Sequence, residues 1–191
     1  LRIIKKPCNP KNFDGKTLIH IGCGTCNDSR YINVDARPGL HIHAVNTIEN
    51  LPKIFPENYA DLIYACHILE HIPYKKIPEI LMKVCKCLKQ NGIFRISVPN
   101  FETIAQMYST NKNLAPLLPP LMGGQGYREN FHYSAFDREY LKSILMEAGF
   151  KETRQWDPEK AEYYHFDDWA GRLFPFEGKE WFISLNIEAI K

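Results

Sequence analysis

Leu18-Ile19-His20-Ile21 runs into Gly22-Cys23-Gly24, and eleven residues after Gly24 a second apolar run, Tyr31-Ile32-Asn33-Val34, ends in Asp35. An apolar run that stops at Gly-x-Gly reads as a buried strand turning sharply where a ligand comes close to the backbone, because a Cβ would block both the turn and the approach. The second run reads as the next strand, with its acid set for a pair of ribose hydroxyls. Together they point to a nucleoside-containing cofactor at the carboxyl ends of parallel strands.

Spacing narrows the cofactor. A dinucleotide-binding unit has three spaced glycines, a helix whose N-terminus holds the pyrophosphate, and an acid about 20 residues further on. Here Asp28 and Ser29 stand where a third glycine would fall, and only the nine residues Gly22–Arg30 separate the two strands. A parallel crossover normally takes about a dozen residues or more, so the usual helix is expected to be missing or reduced to a turn. Without a helix dipole to hold a pyrophosphate, NAD is disfavoured and a phosphate-free nucleoside cofactor fits better.

The rest of the chain reads as alternating strands and crossovers. Thr17–Ile21 and Tyr31–Val34 are followed by a short third strand around Leu40–Val45 and a fourth, mostly apolar, at Asp61–Cys66. Apolar residues at Ile77, Ile80, Leu81, Val84, Cys85 and Leu88 predict a helix over Tyr74–Gln90, stopped by Asn91-Gly92. Ile93–Val98 is a fifth strand. A second helix runs from Asp137 to Gly149, and Trp181–Ile190 alternates as a final strand. This order predicts an α/β, Rossmann-like doubly wound sheet of about seven strands in three layers. One domain spans 1–191, with an irregular leading segment at 1–16 and a lid-like acceptor insertion at 101–136, rich in proline, glycine and aromatics.

A net charge of +2 with scattered lysines makes no case for nucleic acid, and the short basic start Arg2–Lys6 reads as solvated. No apolar run reaches the ~18 residues of a membrane span, and no signal-peptide pattern is apparent. Cys23-x-x-Cys26 overlaps the glycine turn and Cys85-x-Cys87 lies on a predicted helix, so the six cysteines do not form zinc-ligand pairs. No metal-ligand set is expected, and a reducing, cytoplasmic setting is the default. Oligomeric state is not legible.

In their order and spacing, Ile19–Gly24, Ile32–Asp35, Ala60–Tyr64, Ile68-Leu69-Glu70-His71 and Leu88–Ile96 resemble class I S-adenosylmethionine-dependent methyltransferases. Gly123-Gly124-Gln125, His132, Phe136-Asp137 and the closing Ile183–Lys191 are similar to the small stand-alone enzymes of saccharide and surface-polysaccharide pathways. The resemblance covers residues 17–150 and the last strand. It implies a final strand running antiparallel and S-adenosyl-L-methionine as methyl donor, with S-adenosyl-L-homocysteine as product. It also implies a small-molecule or saccharide acceptor, methylated at oxygen. Ile21, Gly22, Cys23 and Gly24 would border the methionine part of the cofactor and Asp35 its ribose. Asn46 falls where relatives often carry an acid near the adenine, and Cys66 and His67 would line the sulfonium end.

Three histidines carry alternatives. His67-x-x-Glu70-His71 matches the H-x-x-E-H pattern of zinc peptidases, which would make a metal-dependent hydrolase. Pro73 and the preceding strand leave it only about one turn, so it reads as a loop bordering the cofactor. His132 sits in the aromatic insertion and either takes a proton from a hydroxyl acceptor or anchors the lid. His71 is a second acceptor contact. Arg128 could meet an anionic acceptor group, although a solvated surface arginine reads as well. Tyr163–Trp169 could wall the acceptor pocket or belong to the core, and Trp156 and Trp181 read as packing. A non-catalytic, cofactor-binding protein on the same fold is the other reading.

Overall fold

A computed structural model describes residues 14–191; most of the leading segment, with Arg2–Lys6 and Cys8, lies outside the described residues. Strands β1 (Leu18–Ile21), β2 (Tyr31–Asp35), β3 (Ala44–Val45) and β4 (Ala60–Cys66) are followed by helix α1 (Ile77–Cys87) and strand β5 (Leu88–Pro99). Then come helices α2 (Phe101–Asn111), α3 (Leu118–Met122) and α4 (Arg138–Glu147). Strands β6 (Glu152–Gln155), β7 (Phe174–Phe176), β8 (Lys179–Trp181) and β9 (Ser184–Ile190) close the chain. Seven strands form one sheet in the order β3-β2-β1-β4-β5-β9-β6, while β7 and β8 make a separate hairpin. Only β9 opposes the rest, antiparallel to both β5 and β6. The doubly wound, seven-stranded sheet with an antiparallel last strand is the expected one.

Each face of the sheet is covered differently. Ile19, Ile21, Ile32, Val34, Ile63, Ala65, Phe94 and Ile96 pack with Ile80, Leu81 and Val84 of α1 and Leu141 and Leu145 of α4. On the other face Leu18, Tyr31, Leu62 and Tyr64 meet Trp156, Tyr164 and Ala170 from a coil. The nine residues between β1 and β2 contain turns and no helix, so this face lacks the layer a crossover helix would provide. The coil at 156–170 takes its place and is fastened by polar contacts. Asp168 accepts from the hydroxyls of Tyr64 and Tyr164, both at 2.7 Å. Asn186 donates to the Ala170 carbonyl and Tyr31 to the Tyr163 carbonyl. Arg95, buried, bonds the Glu188 carboxylate and the Glu162 carbonyl and lies 5.3 Å from the Trp156 ring. Tyr164 and Phe166 thus belong to an aromatic core.

Several boundaries differ from the sequence reading. The helix expected over Tyr74–Gln90 is a single 3-10 turn, Tyr74–Lys76, followed by α1, and it ends at Cys87. Asn91-Gly92 lies inside β5 instead of stopping that helix. Between the pairs Ala60↔Leu88 and Leu62↔Ile93, β4 advances two residues and β5 five. The extra chain turns at Asn91 (φ +63), and a Cβ at Gly92 would come within 2.8 Å of the Lys89 carbonyl. The third strand shrinks to two residues. Trp181 belongs to β8, and the last strand starts at Ser184. Residues 101–136 are not wholly irregular: Asn100 caps α2 by accepting from the Glu102 amide, and α3 follows. The segment after 150 supplies β6, which no apolar alternation announced because its residues are mostly exposed.

His20 is 2% exposed among Tyr31, Tyr64 and Phe166, and its Nδ1 has no partner among the described residues. Burial pushes its pKa down to about 3 from an ordinary 6.5. Below pH 6.5 the unfolded chain takes up a proton that the native site refuses, so stability is complete above that pH and falls on acidification towards pH 3. Between pH 6.5 and 5 the loss through His20 should be about 2 kcal/mol. Urea unfolding of His20→Phe should show a shallower decline over this window than the parent chain; an equal slope would count against the assignment.

Candidate active site

The sheet register sets the site. Ile21 pairs with Val34 on one side and Ala65 on the other, and Asp35 pairs with Val45. The next residues along, Gly22, Asp35 and Cys66, therefore stand level at the carboxyl ends of β1, β2 and β4. Between β1 and β4 the strand order reverses, and that crevice is where open α/β sheets bind ligands.

Gly22 takes φ +66, and a Cβ there would lie 2.0 Å from Cδ1 of Ile68. Gly24 also has positive φ, with open space where its Cβ would be. The two glycines thus serve different ends: Gly22 makes room for the loop after β4, and Gly24 supplies turn geometry. The turn is bonded to its neighbours. Gly22 and Cys23 amides donate to the Val34 carbonyl, and Gly24 donates to Oδ2 of Asp35 at 2.8 Å. His41, which sequence reasoning passed over, lies with Nε2 2.9 Å from the Gly24 carbonyl. Asp35 is buried and also accepts from the Arg37 amide through Oδ1 at 2.8 Å. Each carboxylate oxygen has a lone pair in reserve, which is what a vicinal diol requires.

Asn46 follows β3 on the same rim. Its amide donates to the Asp35 carbonyl, and its Oδ1 accepts from Thr47. Cys23 and Cys66 are thiols held in the protonated form, since burial raises both pKa values, that of Cys23 to about 12. Neither is a nucleophile in this state.

Residues His67–His71 do not form a helical zinc-binding pair. His67 has φ +51, and only Leu69–His71 make one 3-10 turn. The Ser184 hydroxyl donates to the Trp169 carbonyl at 2.6 Å, so Nε2 of His67, 2.9 Å from that oxygen, must be the donor. Nδ1 of His67 is then bare, and it faces Oε1 of Glu70 at 3.4 Å. Burial holds this ring neutral, with a pKa near 3. Glu70 is 1% exposed, its Oε2 has no partner among the described residues, and burial raises its pKa to about 8.

Across the sequence from this loop comes the insertion. Tyr133 and Ser134 amides donate to the Glu70 carbonyl, and the Ser134 hydroxyl to that of Ile72. The Phe131 carbonyl is 3.1 Å from Nδ1 of His71. His132 is thereby set against His71, ring centroids 4.9 Å apart, and burial lowers both pKa values, that of His132 to about 4. At Gly123 a Cβ would meet the Asn130 carbonyl at 2.2 Å and the His132 ring at 3.1 Å, which explains the glycine at this position. Five residues before His132, Tyr127 lies 5.3 Å from the guanidinium of Arg37, which approaches Asp35. The two histidines expected at the acceptor side do meet. Sequence reasoning expected no metal ligands, yet Glu70, His71 and His132 offer atoms within 4.8 Å of one another. No local motif reveals that set, because His132 reaches it only through the tertiary fold.

Gly22→Ala should cost about 2 kcal/mol or more, from left-handed backbone strain together with the clash on Ile68. Adding Ile68→Ala should recover part of that loss in denaturant titrations, because the clash goes while the backbone strain stays. A double variant showing no recovery would refute the packing account.

Residues 2–155 match the family model of the methyltransferase domain. No curated protein sequence matches the chain. Among solved structures, an S-adenosylmethionine-dependent methyltransferase from Archaeoglobus fulgidus superposes with a TM-score of 0.58 at 18% identity, covering 94% of this chain and 88% of that one. One from Thermotoga maritima gives 0.57 at 15%, covering 98% and 90%. A 1,6-didemethyltoxoflavin-N1-methyltransferase from Burkholderia thailandensis, with 1,6-didemethyltoxoflavin and S-adenosylhomocysteine bound, gives 0.54 at 15%, covering 92% and 71%. These structures share the fold, and the match over residues 2–155 settles the family: the chain belongs to the methyltransferase domain family.

Proposed function

We propose that this protein transfers a methyl group from S-adenosylmethionine to an oxygen of a small-molecule acceptor, a saccharide in the first instance. The observation that carries this reading is the level set Gly22, Asp35 and Cys66, reached over a β1–β2 crossing without a helix. Such a site offers a glycine turn and a diol-binding carboxylate with no helix dipole for a pyrophosphate. The cofactor, when bound, supplies an electrophilic methyl on a sulfonium.

Ile21, Gly22, Cys23 and Gly24 border the methionine part and Asp35 takes the ribose hydroxyls. Asn46 lies towards the adenine, and Cys66 and His67 border the sulfonium end. The insertion at 101–136 closes over the acceptor. Much of the acceleration in an in-line methyl transfer comes from holding the two partners in line. A hydroxyl acceptor also has to shed its proton, and a neutral imidazole in a partly dry site can receive it. His132 takes that part, with His71 as the second contact. A reducing, cytoplasmic setting accompanies this reading, with Cys23, Cys26, Cys66, Cys85 and Cys87 as free thiols. No helix among the described residues is long and apolar enough to cross a membrane.

Titration calorimetry with S-adenosylhomocysteine should show one site, and Asp35→Ala should weaken it by about 10- to 100-fold, the worth of hydrogen bonds to a charged group. Absence of binding by the parent chain would end this reading. Turnover across a saccharide panel should fall about 10²- to 10⁴-fold in both His132→Ala and His132→Gln, with S-adenosylhomocysteine affinity kept. Full turnover in His132→Gln would make His132 a lid anchor instead, since glutamine keeps a hydrogen bond but takes no proton.

A further inference from the structure

We infer that Glu70, His71 and His132 form a binding site for a divalent transition-metal ion of the zinc class, joining the loop after β4 to the insertion. Three observations converge on it. Glu70 is a buried carboxyl whose Oε2 has no partner among the described residues and whose Oε1 meets only Nδ1 of His67, at 3.4 Å. A buried carboxyl oxygen left without a partner is costly, and a cation is one of the few groups that would satisfy it. The ligand atoms of the three residues already lie within 4.8 Å of one another. Donors on a common ion at about 2.0–2.2 Å sit roughly 3–4 Å apart, so side-chain rotations of about 1 Å close the set.

The histidines are also oriented as metal ligands are. Nδ1 of His71 faces the Phe131 carbonyl at 3.1 Å, and the ring also meets the His67 carbonyl. The His132 ring is likewise engaged by backbone carbonyls, those of Pro120 and Leu121. Backbone carbonyls that hold an imidazole ring in place orient it as a ligand in the way metal sites use. The surrounding backbone is braced as well, through the Tyr133 and Ser134 amides on the Glu70 carbonyl. Two nitrogens and one carboxylate select zinc, cobalt, nickel or ferrous iron over magnesium and calcium, which want oxygen shells. Three protein ligands leave a coordination position open.

This inference rests on the methyltransferase reading only for the use of that open position. There an acceptor oxygen bound to the ion would lose its proton more readily, to solvent; His132 would be a ligand in the ion-loaded chain and the proton acceptor in the ion-free one. Ion binding itself is independent of turnover, so the two fail separately.

The test titrates the chelator-stripped chain with Co²⁺, then Zn²⁺, with Mg²⁺ as a control. One equivalent of Co²⁺ should bind with visible d–d bands and no thiolate charge-transfer band, Zn²⁺ should displace it, and Mg²⁺ should not compete. Glu70→Gln, His71→Gln and His132→Gln should each weaken Co²⁺ binding by about 100-fold, with far-ultraviolet circular dichroism unchanged. The parent titration is decisive even where a variant fails to fold. Absence of stoichiometric binding, a thiolate band, or three folded variants that bind like the parent would each overturn the ion site. Methyl transfer by the stripped, cobalt-refusing chain would leave the methyltransferase reading intact. Failure to bind S-adenosylhomocysteine by a chain that takes up cobalt would instead remove that reading and keep the ion site.

Discussion

The rest of the structure depends on a nine-residue crossing between two parallel strands. Gly22–Arg30 is too short to carry a helix back over the sheet. The turn instead lies against the strand ends, with Gly22 and Cys23 on the Val34 carbonyl and Gly24 on the Asp35 carboxylate. One physical economy has two consequences. It leaves the ligand crevice bounded by a bare glycine turn and an acid, and it strips a helical layer from one face of the sheet.

That face is rebuilt from the other end of the chain. Residues 156–170 have no regular structure, yet they bury Trp156, Tyr164 and Ala170 on Leu18, Tyr31, Leu62 and Tyr64. A coil covering a sheet must find partners for its own polar backbone, and Asn186, Arg95 and Tyr31 reach across to its carbonyls. Asp168 holds two tyrosine hydroxyls on the same face. The buried Arg95–Glu188 pair lies between β5 and β9, and Arg154 of β6 shares the same carboxylate. The antiparallel edge and the substitute layer are thus secured by one group of contacts.

The side where His71 and His132 meet is assembled in the same manner, by segments far apart in the chain. The loop after β4 offers a backbone carbonyl, the insertion binds it with two amides, and His71 and His132 come face to face. Gly123 is needed where it stands because the Asn130 carbonyl and the His132 ring occupy the space of its Cβ. Glycine at Gly22 answers to the same logic, with Ile68 as the neighbour. Both positions show sequence punctuation explained by close approach instead of by flexibility.

Much of the fold was legible in the sequence because parallel, doubly covered strands leave unbroken apolar runs, and because the distance from Gly24 to Asp35 limits what can lie between. The level of Gly22 and Asp35 follows from those runs. Boundaries were less legible: Asn91-Gly92 looked like a helix stop, and only the unequal advance of β4 and β5 shows that it is a turn within a strand. β6 was hidden because an exposed edge strand needs no apolar alternation. The sequence by itself determined the sheet and the glycine turn level with Asp35, since these rest on local periodicity and spacing. Only the tertiary structure decided that an aromatic coil replaces the missing layer and that Glu70, His71 and His132 converge. Those contacts join residues tens of positions apart, and burial, which encloses the Glu70 carboxyl, is a property of the packed chain and not of any short stretch of it.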